Sequence, residues 1–372
     1  MEVEPTAIVA DWGTYISKFG FAGNDKPRWW YLTIAGEPKF QEMMNGVDVK
    51  EFYLGDDVKL MRKELNVTYP VIDGYVKDWD IMEKMLNFVI LEGLKSSPED
   101  HPILFTESPF NSDENRLSLW EVMFQGLNAP WFYVQKQGVL ALYATEKTNG
   151  LVLSSGEGIS NVIPIYEGFA VPHAIQMINI SGSDVTEYLR RLITERGYKF
   201  STSSNVDVIR DIKEKYCKVW KDGYTESLDN SNEEITYELP DKSSITIGDE
   251  IFQCPELIFD PQIAGINGAG YHSHIVESII KWDSDLQELM LSNIVLSGGN
   301  TMFEGFGHRL WNEIDKVNLS RSKVKILADP ERDNMIWKGG SILSALSTFQ
   351  TLWITKAEYE EWGPTIVYRK CL

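Results

Sequence analysis

The sequence predicts an α/β protein of two related lobes, and three observations carry that prediction. Strand-like apolar runs alternate with stretches of helical spacing along most of the chain, the pattern of α/β layers. A strand–turn–strand pattern occurs twice, at 7–16 (AIVADWGTYI) and at 150–159 (GLVLSSGEGI). The chain is 372 residues long and 43% apolar, enough for two cores or one large two-lobed body.

Laid over one another, VADWGTYI and VLSSGEGI share two apolar residues, a small or polar pair, Gly13 or Gly156, two turn positions, and Ile16 or Ile159. Each continues into further strand-like sequence and closes on glycine (SKFGFAG; SNVIPIYEG). The copies lie too far apart for a solenoid period, so they indicate two lobes with facing hairpins or a chance likeness of two hairpins. In the second copy, Gly156 and Gly158 flank a turn whose backbone N–H groups can face an anion. A phosphate site that works with magnesium usually offers a carboxylate at that strand end. Here the strand ends in Ser154 and Ser155, and the nearest acid is Glu157.

The remaining elements follow in order. Helical spacing runs through 78–94, a short buried strand through 102–108, and a helix opened by a Ser-x-x-Asn turn through 112–127. Residues 135–145 read as a helix, as do 181–197, with a cap, and 206–220. Residues 293–314 read as strand, glycine turn, helix. The stretches 39–53 and 222–234 have little periodicity and read as exposed loops.

A formal charge of −20 with no basic run argues against binding a phosphate backbone and fits an acidic, soluble surface. No apolar run is long enough to span a membrane, and the start, MEVEPTAIVADW, has no signal-peptide pattern. Cys217, Cys254 and Cys371 are widely spaced, which fits free thiols in a reducing compartment and no zinc cluster.

Specific stretches carry a resemblance that extends from end to end: FAGNDKPR (21–28), EDHPILFTESPFN (99–111), IYEGFAVPHAI (165–175), LITERGYKF (192–200) and VIRDIKEKYC (208–217), then ITIGDEIFQCPE, VLSGGNTMF, GGSILSALSTFQ and IVYRKCL. The chain resembles actin. The resemblance implies the actin-like ATPase fold, two duplicated α/β lobes of four subdomains around a nucleotide cleft, and makes the two hairpins its phosphate loops. It implies subdomain 1 at 1–32, 70–144 and 335–372, subdomain 2 at 33–69, subdomain 3 at 145–180 and 267–334, and subdomain 4 at 181–266.

Carried over residue by residue, the resemblance assigns the nucleotide phosphates to Asp11, Gly13, Thr14, Tyr15 and Lys18 in the first hairpin, and to Ser155, Gly156, Glu157, Gly158 and Ile159 in the second. It assigns base and ribose to Gly182, Arg210, Lys213, Glu214, Gly298, Gly299, Thr301, Met302 and Phe303. Magnesium or calcium falls to Asp11 and, through water, to Gln137, which also positions the attacking water. Several positions depart from the family. Trp12 replaces an asparagine. Tyr15 replaces a glycine, so its ring must turn away or its hydroxyl must donate to phosphate. Ser154 and Asn161 replace the aspartate and histidine linked to the cation and the water, Glu157 replaces an aspartate, and Asp333 replaces a lysine near the adenine. Losing a general-base contribution typically slows a reaction about 10²-fold, so the expectation is a nucleotide holder with weakened cation binding and impaired hydrolysis.

The resemblance also implies assembly surfaces. A docking loop carries Met43, Met44 and Val47. A partner groove is lined by Tyr143, Thr148, Ile342, Leu343, Leu346 and Leu352, with Lys338 where actins have isoleucine. A plug loop carries Ile263 and Ile266, and Asp73 replaces a methylated histidine. The implied partners are other actin-family subunits or a larger assembly, and actin-binding proteins at the groove, with no nucleic acid and no membrane. Two readings follow. One is a cytoskeletal structural subunit, cytoplasmic and conceivably ciliary or nuclear, that binds ATP or ADP with weak or absent hydrolysis. The other is a divergent filament-forming actin with a working ATPase.

Overall fold

The computed structural model describes residues 5–39, 50–200, 203–221, 234–317 and 323–371. The chain divides into two compact units, Met1–Thr148 with Asn334–Leu372, and Asn149–Asp333. Most of the loop expected at 39–53 lies outside the described residues, as does nearly all of the one at 222–234.

In the first unit, β1 (Ile8–Asp11), β2 (Ile16–Phe21) and β3 (Trp29–Leu32) form an antiparallel run. The strands β4 (Ala35–Pro38), β5 (Tyr53–Leu54) and β6 (Leu65–Thr68) make a separate three-stranded sheet, and β7 (Val71–Ile72) pairs with β8 (Tyr75–Val76). Then β9 (Ile103–Glu107) lies parallel to β1, and β10 (Trp131–Lys136) parallel to β9, with Ile354–Thr355 closing that edge. The helices α1 (Asp56–Leu60), α2 (Trp79–Phe88), α3 (Asp113–Glu121) and α4 (Gln137–Tyr143) connect them. Side chains stop two of these helices from fraying: Asp78 accepts the Ile81 amide at 3.0 Å, and Ser112 accepts the Asn115 amide at 3.1 Å.

The second unit repeats the arrangement. Here β11 (Gly150–Ser155) pairs antiparallel with β12 (Ser160–Tyr166), which continues to β13 (Phe169–Ala170) and β14 (Gln176–Ile178). Next come α5 (Gly182–Glu195), opened by the capping box of Ser181 and Asp184, and α6 (Ser203–Tyr216). A hairpin of β15 (Ile235–Glu238) and β16 (Ser244–Ile247) follows, and β17 (Ile294–Ser297) lies parallel to β11 and to β18 (Ile326–Leu327).

Each repeated hairpin therefore holds the same place in its sheet, antiparallel to its own second strand and parallel to a later one. The likeness read in the sequence is a likeness of topology, not a coincidence of two turns.

Two boundaries differ from the sequence reading, and two helices of the expected extent end in an altered turn. Residues 135 and 136 belong to β10, and the helix begins at Gln137, because the run pairs with β9 out to Lys136↔Glu107. The helix expected over 206–220 ends at Tyr216, where Cys217 turns into the core and Lys218 bridges to Glu304. Both helices expected over 78–94 and 112–127 finish in a widened turn, Val89–Gly93 and Val122–Gly126.

The core of the first unit is aromatic. Trp120, Phe124 and Phe132 pack with Trp120–Phe132 centroids 4.6 Å apart. Trp12 joins it at 4% exposure, edge-on to Phe19 at 5.4 Å and stacked on Phe105 at 6.3 Å. Its indole thus points into the sheet's packing face. Replacing Trp12 with alanine should cost about 3–5 kcal/mol in chemical denaturation. A loss below about 1 kcal/mol would show the ring is not part of the core.

Candidate functional site

Both sheets bring polar residues to the carboxyl ends of their parallel strands, the edge where open α/β sheets bind ligands. In the first unit this edge carries Asp11 from β1, Thr106 from β9 and Gln137 just past β10. Thr106 joins the three. Its hydroxyl donates to Asp11 Oδ1 at 2.8 Å, accepts the Trp12 amide at 3.3 Å, and lies 3.4 Å from Gln137 Nε2. Gln137 Nε2 also reaches the Trp12 carbonyl at 3.5 Å. Burial pushes the Asp11 carboxyl up from its ordinary value, and the Lys18 charge and the Thr106 hydrogen bond pull part of that back.

The turn itself, residues 12–15, is half-exposed apart from Trp12 and is held from several sides. The Thr33 hydroxyl donates to the Gly13 carbonyl at 2.8 Å, and the Thr33 amide to the Tyr15 carbonyl at 2.8 Å. Gly13 admits no side chain, since a Cβ there would stand 2.3 Å from the Ile16 carbonyl oxygen. Thr14 Oγ1 accepts the Gly74 amide at 2.9 Å, tying the turn to the β7–β8 hairpin. Of the two options for Tyr15, the structure takes the first. The ring packs on the cluster of Leu32, Ile34, Tyr53, Val58 and Leu65, and its hydroxyl accepts from Lys59 Nζ at 3.3 Å.

The second turn, residues 156–159, closes with the Gly156 amide on the Ile159 carbonyl at 2.9 Å. Behind it the Ser155 hydroxyl is fully buried, 2.8 Å from Ser160 Oγ and 2.9 Å from the Tyr271 hydroxyl, which donates to the Ile180 carbonyl at 3.0 Å. Ser155 thus offers this edge its main chain, with its side chain engaged inside. Ser154 lies in register between Asn161 on β12 and Ser297 on β17. Asn161 is 2% exposed, and its Oδ1 has no hydrogen-bond partner, nor has Ser297 Oγ. The three make a buried, uncharged polar row with acceptor capacity left over.

Beside that row, Gly298 has φ +89°, and a Cβ there would lie 2.2 Å from the Ser155 carbonyl oxygen. Thr301 Oγ1 donates back to the Gly298 carbonyl at 2.8 Å, and Arg332 donates to the Thr301 carbonyl through Nη2 at 2.7 Å. Met302 and Gly299 are exposed, whereas Phe303 is buried in the unit's core. Asp333 follows Arg332 directly.

Gly182, Arg210 and Lys213 come together with Glu157. Arg210 Nη2 donates to Glu157 Oε1 at 2.6 Å, and Lys213 Nζ lies 3.5 Å from Glu157 Oε2. Glu214 is exposed and makes no ion pair among the described residues. Burial raises the Glu157 carboxyl, but Lys213 and Arg210 outweigh it, so the group sits below its ordinary value of 4.5.

The partner groove residues fall in the first unit. Ile342, Leu346, Leu352 and Thr148 are exposed, and Tyr143 and Leu343 pack partly against the core. Lys338 is half-buried with no ion pair among the described residues. The docking-loop residues Met43, Met44 and Val47 lie outside the described residues. Thr106, Thr33, Tyr271 and Arg332 organise the turns and escaped the sequence reading, because their partners lie far away in sequence.

The glycine turns fit phosphate, through amides at half-exposed positions beside buried strand ends. At this edge of the first unit Asp11 is a carboxylate that could serve a hydrated divalent cation, magnesium or calcium, with water supplying most of the shell. Among the described residues, no group of three or more His, Cys, Asp or Glu side chains could hold a metal by itself. No described helix is long and apolar enough to cross a membrane.

The depressed Glu157 carboxyl has a signed consequence. Its stabilisation is fully present above the unfolded value of 4.5 and is lost as pH falls through the lower folded value. Wild type should therefore exceed Glu157→Gln in stability at pH 7, and the gap should close in acid. Denaturation curves across pH check this, and a gap independent of pH would refute the ion pair.

Comparison with family models matches residues 3–372 to the model described as Actin.

Proposed function

This chain belongs to the actin family, and from that premise we propose that it is a structural subunit that holds ATP or ADP but turns it over slowly. The family is one of cytoskeletal, nucleotide-binding proteins that generally take ATP or ADP with a divalent cation and assemble with one another and with binding proteins. In this reading the glycine turns are the phosphate-binding elements, with Gly13, Thr14 and Lys18 in the first unit's turn and Gly156, Gly158 and Ile159 in the second's. Asp11 and Gln137 hold the cation, which would neutralise phosphate charge. The ribose falls to Glu214, and the base to Gly299 and Met302. The division into four subdomains belongs to the same proposal.

The observation that carries the slow-turnover reading is the polar row Asn161–Ser154–Ser297. Phosphoryl transfer to water relies on positioning and on a group that orients the nucleophile. The row contains no carboxylate and no imidazole, and its Asn161 Oδ1 can accept a proton's hydrogen bond but cannot take the proton away. Gln137 alone remains to orient water, and its amide nitrogen already faces Thr106 and the Trp12 carbonyl. The half-buried Lys338 beside the exposed groove favours a fixed place in a larger cytoskeletal assembly, ciliary or dynein-associated being one setting, over free polymerisation.

The second reading, a filament-forming ATPase, draws on the retained Gln137 and on the exposed apolar residues Ile342, Leu346 and Leu352. Nucleotide extraction with a phosphate-release assay separates the two. The expected result is bound nucleotide with release about 10²-fold slower than an active family member, and a substantial recovery in the double variant Ser154→Asp, Asn161→His. Release at the active member's rate, or filaments pelleting under polymerising salt with matching hydrolysis, would overturn the first reading.

A further inference from the structure

The ion pair at Glu157 is one edge of a charged network in the second unit. Glu157 Oε1 takes Arg210 Nη2 at 2.6 Å, and Arg210 Nη1 donates to Asp207 Oδ1 at 3.0 Å. Lys213 Nζ, almost fully buried, lies 3.5 Å from Glu157 Oε2 and donates to the Gly182 carbonyl and to Thr186 Oγ1, both at 2.9 Å. Arg210 and Lys213 thus face the Glu157 and Asp207 carboxylates, and the Glu214 carboxylate also feels both cations.

The main chain is closed as well. The Gly182 and Ser183 amides, the first two of α5, donate to the Gly156 and Glu157 carbonyls, each at 2.8 Å. A helix N-terminus that would otherwise face an anion is therefore capped by the turn itself. The fit is close: a Cβ on Gly182 would meet Glu157 Oε2 at 2.8 Å.

We propose that Glu157 is the specificity-determining residue of the second turn, its carboxylate holding against Arg210 and Lys213 the place an anionic ligand would take. The proposal rests on the nucleotide reading of this turn. The turn then receives its ligand through neutral contacts, and the charge of Arg210 and Lys213 adds nothing to affinity. It also follows that the turn's geometry is fixed before any ligand arrives. Opposite charges held this close cancel much of one another's field at a distance, which leaves less of it for a newcomer.

The test is equilibrium titration with ATP and with tripolyphosphate, at about 50 mM and about 300 mM salt, of wild type, Glu157→Gln, and Glu157→Gln with Arg210→Gln. Glu157→Gln uncovers one positive charge, so its affinity for both probes should rise about three- to tenfold at low salt, with the gain shrinking at high salt. Adding Arg210→Gln should abolish the gain. Glu157→Asp, shorter by one methylene, should give a smaller gain in the same direction and serves if the glutamine variant does not fold. Unchanged or weaker binding by folded Glu157→Gln and Glu157→Asp would overturn the proposal. If wild type binds neither probe, the nucleotide reading fails by itself. The role of Glu157 then stands if Glu157→Gln gains tripolyphosphate binding that Arg210→Gln removes, and falls if it gains none.

Discussion

A strand that pairs antiparallel on one side and parallel on the other has to end in a tight turn at the same edge where its parallel neighbour ends. The parallel neighbour continues away into a helix or loop, while the strand itself must reverse within a few residues. That constraint falls on β1 and on β11, and most of what distinguishes this molecule follows from it. Backbone amides that the sheet cannot pair are gathered at one edge, and the turn must satisfy them locally or present them to a ligand. Gly13 exists because the Ile16 carbonyl crosses where its side chain would be. Gly298 exists because the β17 turn passes against the Ser155 carbonyl in a left-handed conformation.

The two units meet the same constraint with different chemistry. The first turn is held mainly by hydrogen bonds: Thr33 on the Gly13 and Tyr15 carbonyls, Gly74 on Thr14, and Thr106 on Asp11 and Trp12. Each is worth about 1 kcal/mol net, so the turn is positioned by their sum. The second turn is held by charge, with Arg210 and Lys213 on Glu157, and by the amides of α5. Such a pair adds little net stability but is costly to break, because a lone buried charge would remain. The second turn is thus locked by a few strongly coupled contacts and the first by several separate ones.

The frame was legible in the sequence because it rests on local signals. The echo of VADWGTYI in VLSSGEGI, the cap residues Ser112 and Ser181, and the glycines of the turns are each readable within about ten residues. What could not be read depends on register. Nothing near Thr106 in the chain announces that parallel pairing of β9 with β1 sets its hydroxyl on Asp11, 95 positions away. Tyr271 and Arg332 are hidden for the same reason. Residues 135 and 136 carry apolar neighbours that suit helix or strand, and only the ladder with β9 decides the matter. The substitution of Tyr15 and the two ways to accommodate it are readable in the sequence, but the cluster that takes its ring is not, since it is assembled from 32–65.

The locked turn and the neutral row bear on one another. An active hydrolase needs a side chain that changes its proton or hydrogen-bond state as the terminal phosphate leaves, and a loop able to follow that change. In the second unit the row beside the turn is Asn161, Ser154 and Ser297, none of which titrates near neutral pH. The turn itself is fastened at both Gly156 and Glu157 to a helix whose N-terminus it caps. On the proposed reading, a turn fastened in this way beside a row that does not titrate suits holding one conformation.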